Sequence, residues 1–189
     1  MNRQISFSQY RTIDLLILTA VLAVSQFVIY VASSFLYPEQ LYVVSPVAAV
    51  TALVMMRWSG YAAIPALFGG LFFTALSGGT WQHFIIYGAG NLVSMLALVM
   101  LRLLGKERIR QDAFLALTFG LAVQLLMQLG RAGTAALLSF PAAACIGFIT
   151  TDVLSTVFTL FIVWTVRRIE GLFEDQKHYL LRLQSEHKS

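Results

Sequence analysis

Long apolar runs broken by short polar turns decide what this chain can fold into. The first run covers about Ile13 to Ser33, and a polar, aromatic loop with Pro38 and Glu39 follows it. A short second run, Val43 to Met56, meets a third, Tyr61 to Leu76, across the tight turn Arg57-Trp58-Ser59-Gly60. Ser77-Gly78-Gly79-Thr80 turns the chain into a fourth run, His83 to Leu101. After a charged loop, Arg102 to Asp112, the fifth covers Ala113 to Gly130. Small residues from Arg131 to Pro141 connect to a sixth that ends at Arg167. Runs of this length and apolarity read as membrane helices, because the hydrocarbon core needs about 20 apolar residues per crossing. Charged residues are 12% of the chain, against roughly 25% in a soluble domain. The expectation is an all-α integral membrane protein of six transmembrane helices. Residues 1–189 form a single six-helix membrane domain, and 168–189 form a helical tail. Met1 to Tyr10 has no apolar core, so no cleaved signal peptide is read there.

Charge fixes the expected orientation. With the N-terminus inside and six alternating spans, Arg3, Arg11, Arg57, Arg102, Lys106, Arg108, Arg110, Arg167, Arg168, Lys177, Arg182 and Lys188 all face the cytoplasm. Only Arg131 falls outside. Basic residues favour the cytoplasmic side, so both termini are placed there. The net charge of +4 is then topology and lipid attraction rather than a nucleic-acid footprint.

Polar groups within spans are costly, so each needs a reason. On the fifth span Gln124, Gln128 and Arg131 share one helix face, at i, i+4 and i+7. On the fourth, His83, Tyr87 and Asn91 repeat at i, i+4 and i+8. Asp152 lies on the sixth among Thr151, Ser155, Thr156 and Thr159, and Gln26 and Tyr30 lie on the first. A rise of about 1.5 Å per residue puts these faces at matching depths in the outer half. That asymmetry indicates a pocket open to the outside, with the loop Tyr37 to Tyr42 and Trp81 placed to close it. Pockets for small ligands combine apolar or aromatic walls with a few convergent polar groups.

Each residue also has a plainer reading. Gln124, Gln128 and Asn91 can serve as interhelical hydrogen bonds. Arg131 can snorkel to water or pair with Asp152. His83 can be interfacial, Glu39 a solvated loop charge, and Cys145 a small buried side chain. No catalytic set is marked. His178 and His187 lie in the tail, Asp152 is the one carboxylate in an outer half-span, and no phosphate-binding loop or metal-ligand cluster is present. No cofactor is expected, and any ATP hydrolysis has to come from partners. Small residues at four-residue spacing, such as Thr19/Ala23, Ala62/Ala66/Gly70 and Ala116/Gly120, let helices approach closely.

Over its whole length the chain resembles the substrate-binding (S) component of an energy-coupling factor (ECF) transporter. The likeness rests on size, short second and third spans, polar outer ends of spans four to six, and the run Leu18-Thr19-Ala20-Val21-Leu22-Ala23-Val24. The family docks its transmembrane coupling subunit through an Ala-x-x-x-Ala stripe in that span. The nearest match here is Thr19-x-x-x-Ala23, with Val24 where Ala20 would want its partner. The resemblance implies a multi-pass protein of the bacterial cell membrane that binds a vitamin or related micronutrient from outside. It also implies a coupling subunit that meets Thr19, Ala20 and Ala23, and two ATPase subunits. The expected binding residues are Arg131, Gln128, Gln124, Asn91, Tyr87, His83, Asp152, Gln26, Tyr30 and Trp81. Two other classes fit the length: a structural protein of the cell-shape machinery resembling MreD, and a small intramembrane enzyme.

Overall fold

The computed structural model describes residues 6–36 and 44–186. The expected lid, Tyr37 to Tyr42, lies outside the described residues, as do Arg3, His187 and Lys188. The described elements are all helical: α1 (Phe7–Leu36), α2 (Val47–Trp58), α3 (Ala63–Leu76), α4 (Trp81–Leu92), α5 (Leu98–Leu104), α6 (Lys106–Gln111), α7 (Ala113–Leu137), α8 (Ala142–Thr150), α9 (Val153–Val166) and α10 (Gln176–Glu186). Short 3-10 turns, Ser59–Ala62 and Val93–Ala97, link α2 to α3 and α4 to α5. Five continuous stretches are long and apolar enough to cross a membrane: Phe7–Leu36, Val47–Leu76, Trp81–Leu104, Ala113–Leu137 and Ala142–Val166. The chain is a multi-pass helical membrane protein.

The second of these stretches is folded back on itself. Ser59 takes φ 52, ψ −115, a left-handed backbone that ends α2. A straight helix would separate Val47 from Gly69 by about 33 Å. Instead, a Cβ added to Gly69 would meet Val47 Cγ2 at 2.8 Å. Each arm of this hairpin is only 12 or 14 residues long, roughly 18–21 Å.

The α2 arm is the centre of the bundle. It packs against α1, α3, α7 and α9, while the chain of contacts α1–α3–α4–α7–α9 runs around it. Of its residues Val50 alone is not fully buried. Its alanines at 48, 49 and 52 explain how so many neighbours approach one short helix. Glycines do the same in the surrounding wall. A Cβ on Gly130 would run into the Gly90 carbonyl oxygen where α7 crosses α4. One on Gly70 would run into the Tyr87 carbonyl oxygen where α3 crosses α4.

Three expected boundaries are corrected. The stretch from Arg131 to Pro141 is not a connection from its start, because α7 continues to Leu137 and carries Arg131 inside it. Ala132 to Ala136 are small, but alanine is the strongest helix former. The loop from Arg102 to Asp112 is mostly helical, broken only at Gly105 (φ 79). The final apolar stretch is interrupted at Thr151 and Asp152. On α1, Ile13, Leu16, Ile17, Val24, Phe27 and Val28 are exposed and Ala20 lies among them. Ala23 is half-buried, and the Thr19 hydroxyl is turned inward, buried and without a hydrogen-bond partner.

Candidate binding site

A cavity of about 470 Å³ sits at the end of the bundle where α2 begins. Its walls come from Ser45 and Val47 before and at the start of α2, Gly69, Gly70, Phe73 and Ser77 on and after α3, Tyr87 on α4, Arg131 on α7, and Phe148 to Ser155 across the α8–α9 break. That break is what makes the site. Interrupted backbone at membrane depth is tolerated where it lines a cavity, because the freed peptide groups meet water or ligand there. It also releases Asp152 from its own helix. At the start of α9 its carboxylate makes no capping bond. It is turned toward α7.

Asp152 Oδ2 accepts from Arg131 Nη1 at 3.2 Å and from Gln124 Nε2 at 3.0 Å. Thr159 in turn donates to Gln124 Oε1 at 3.3 Å. Arg131 Nε donates to Asn91 Oδ1 at 2.7 Å, and Asn91 Nδ2 donates to the Ala66 carbonyl at 3.0 Å. Four helices are thereby joined through one guanidinium. Its orientation is fixed on both sides, since Asn91 is fully buried and held by the backbone of α3. Arg131 also lies over the Tyr87 ring, 5.0 Å from its centroid. Tyr87 packs edge-on against Phe73 and Phe148, with centroids 5.1 and 5.8 Å away. The chemistry of the cavity is an ion pair in an aromatic cage.

The structure sorts the expected site residues. Arg131, Asp152 and Tyr87 line the cavity. Asn91 and Gln124 lie behind them and position the ion pair. Gln128 ties α7 to α9 by donating to the Thr156 hydroxyl at 3.4 Å. Gln26 is buried and donates to the Gly69 carbonyl at 3.0 Å, fastening α1 to the cavity wall. Three residues are not brought in. Trp81 is exposed, Tyr30 does not line the cavity, and His83 is engaged at the start of α4, where its Nδ1 lies 2.9 Å from the Thr80 hydroxyl. Ser45, Phe73 and Phe148 were not anticipated. Ser45 N–H donates to the Ser155 hydroxyl at 2.9 Å, so Ser155 anchors the entry to α2. The two phenylalanines carry no sequence signal that separates a cavity wall from a packed core.

A second ion pair lies at the opposite end of the bundle. Arg57 Nε and Nη2 bind the two oxygens of Asp14 at 2.8 and 2.7 Å. Arg57 Nη1 reaches the carbonyls of Gly171 and Leu172 at 2.6 and 3.1 Å, and Trp58 Nε1 donates to Asp14. The segment after α9 is folded onto this end by Arg110–Glu174, Lys106–Asp175 and Tyr10–Gln176 contacts. No protein-family model, curated protein or solved structure matches this chain.

Proposed function

We propose that the chain is the membrane-embedded substrate-binding component of an ECF-type importer for a vitamin or related micronutrient. In this reading it crosses the bacterial cell membrane six times, the α2–α3 hairpin supplying two short crossings. Both termini are cytoplasmic, and the cavity opens outward. The observation that carries the reading is the cavity itself: a buried, oriented Arg131–Asp152 pair set among aromatic rings at one end of the bundle. Buried ionisable groups within membrane segments are expensive and mark ligand or ion paths. A purely structural protein of the cell-shape machinery needs no such cavity. Among the described residues no hydroxyl lining the cavity is hydrogen-bonded to a histidine or to the Asp152 carboxylate, so the enzyme reading has less support than the binding one. The chain binds substrate, and partner ATPases drive its release through a coupling subunit that meets α1 at Ala20 and Ala23.

A thermal-shift screen of the purified protein against vitamins tests this, because a ligand of the native state raises its stability. A compound that stabilises the parent but not an Arg131→Gln variant is the expected result. Uptake by vesicles holding only this chain, equal to that with the ATPase module, would contradict the importer reading.

A further inference from the structure

The ion pair in the cavity is incompletely bonded, and the two unused atoms define what it can receive. Arg131 spends Nε on Asn91 and Nη1 on Asp152, and Nη2 has no hydrogen-bond partner among the described residues. Asp152 spends Oδ2 on Arg131 and Gln124, and Oδ1 has no partner among the described residues. The open atoms are thus one donor nitrogen and one acceptor oxygen on neighbouring side chains. Neither atom is sealed from the cavity by packing.

Charge narrows the class. Arg131 and Asp152 side chains are 6% and 14% exposed, and together they are neutral. A ligand bearing net charge would leave that charge uncompensated beside two largely buried side chains, at a cost. An amino-acid zwitterion is neutral overall but must desolvate two full charges to enter, a cost that an uncharged group does not carry. A neutral group offering one acceptor and one donor satisfies both open atoms and adds no charge. Shape narrows it further. Phe73, Tyr87 and Phe148 form aromatic walls, and about 470 Å³ is in the lower part of the range for small-molecule pockets. Both favour a compact, flat ring system.

We propose that the cavity takes a neutral planar heterocycle with a ring N–H beside a ring C=O. The carbonyl accepts from Arg131 Nη2 and the N–H donates to Asp152 Oδ1. This is the edge of a lactam, imide or cyclic urea. The inference rests on the binding reading above and deepens it to a substrate class. Asn91 matters here as a positioning residue: by clamping Nε it holds Nη2 ready before the ligand arrives, which lowers the ordering cost of binding.

The test uses the full-length protein in detergent, with binding read by calorimetry and thermal shift. Riboflavin, lumichrome and uracil carry the edge on a flat ring with no net charge. Nicotinic acid, thiamine and pyridoxine do not. The expected result is that at least one edge-bearing compound binds, and that methylating its ring N–H weakens binding by about tenfold or more, as for loss of a buried hydrogen bond. Asp152→Asn is expected to weaken the parent compound and to narrow the gap to its methylated form. Equal affinity for the methylated and parent compounds would overturn the proposed edge. Binding of nicotinic acid, thiamine or pyridoxine alone would overturn it too, while leaving the binding function standing. No binding by any of the six to a folded protein would count against both.

Discussion

Two arginine–aspartate pairs, one at each end of the bundle, are almost equally buried and are bonded differently. Arg57–Asp14 has side-chain exposures of 6% and 15%; Arg131–Asp152 has 6% and 14%. Burial therefore does not distinguish them, but bonding does. In the first pair all three guanidinium nitrogens and both carboxylate oxygens are engaged. Two of the arginine's acceptors there are carbonyls of the chain's own C-terminal segment. In the second, one nitrogen and one oxygen are left over beside a cavity. On the proposed reading, a saturated pair is a fastening and a pair left open where a cavity meets it is a receptor.

The comparison is broken most easily at Arg57. Arg57→Ala leaves Asp14 buried without its cation, a loss expected to cost about 3–5 kcal/mol. It also frees the Gly171 and Leu172 carbonyls. Thermal unfolding in detergent is expected to show a large drop, with faster hydrogen exchange around residues 171–176. An unchanged melting temperature would mean that the two pairs are alike after all.

The cavity end is held by backbone crossings rather than by saturated charge. Gly130→Ala places a methyl group against the Gly90 carbonyl, and neither backbone can yield without moving Arg131. Overpacking of this kind costs about 1–3 kcal/mol. Stability and ligand affinity are expected to fall together, as seen by melting and binding measured on one preparation.

The charged end is also expected to respond to acid. Burial pushes the Asp175 carboxyl up, but the Lys106 ammonium at 2.6 Å and the N–H groups of His178 and Lys177 outweigh it and hold it below its ordinary value. Its folded value is the depressed one, so its contribution is complete above the unfolded value of about 3.9. That contribution is lost as pH falls through the lower folded value. Docking of the C-terminal segment, followed by hydrogen exchange against pH, is expected to loosen in that acid window, and Asp175→Asn is expected to remove this step. The smallest effect belongs to Thr51, in the central α2, whose hydroxyl is buried without a partner. Thr51→Val is expected to be neutral or slightly stabilising in the same melting assay, because no bond is lost.

Much of the cavity end was legible in the sequence. Asp152, Arg131, Gln124 and Asn91 are polar residues at helical spacing in apolar runs, and the cost of burying them announces a purpose. Arg131 was misplaced to a span boundary because the alanines and glycine after it read as a connection. Phe73 and Phe148 were invisible, since an aromatic wall and an aromatic core have the same composition. The charged end was read only as topology. By sequence Arg57 is one positive charge among those on its side, and nothing marks Asp14 as its partner. Their partnership spans 43 positions and arises only when the α2–α3 hairpin turns at Ser59. Local periodicity carries no record of such a contact.

The most direct measurement makes one substitution in each pair. Asp14→Asn and Asp152→Asn change the same atoms at the same burial. Each variant is to be melted without ligand and titrated with the compound that stabilises the parent. The account predicts that Asp14→Asn lowers the melting temperature and keeps the parent's affinity. It predicts that Asp152→Asn, whatever stability it loses by leaving Arg131 without its anion, also loses affinity by about tenfold or more. Equal losses of stability with unchanged affinity in both variants would contradict it, and Arg131–Asp152 would then be a fastening like the other.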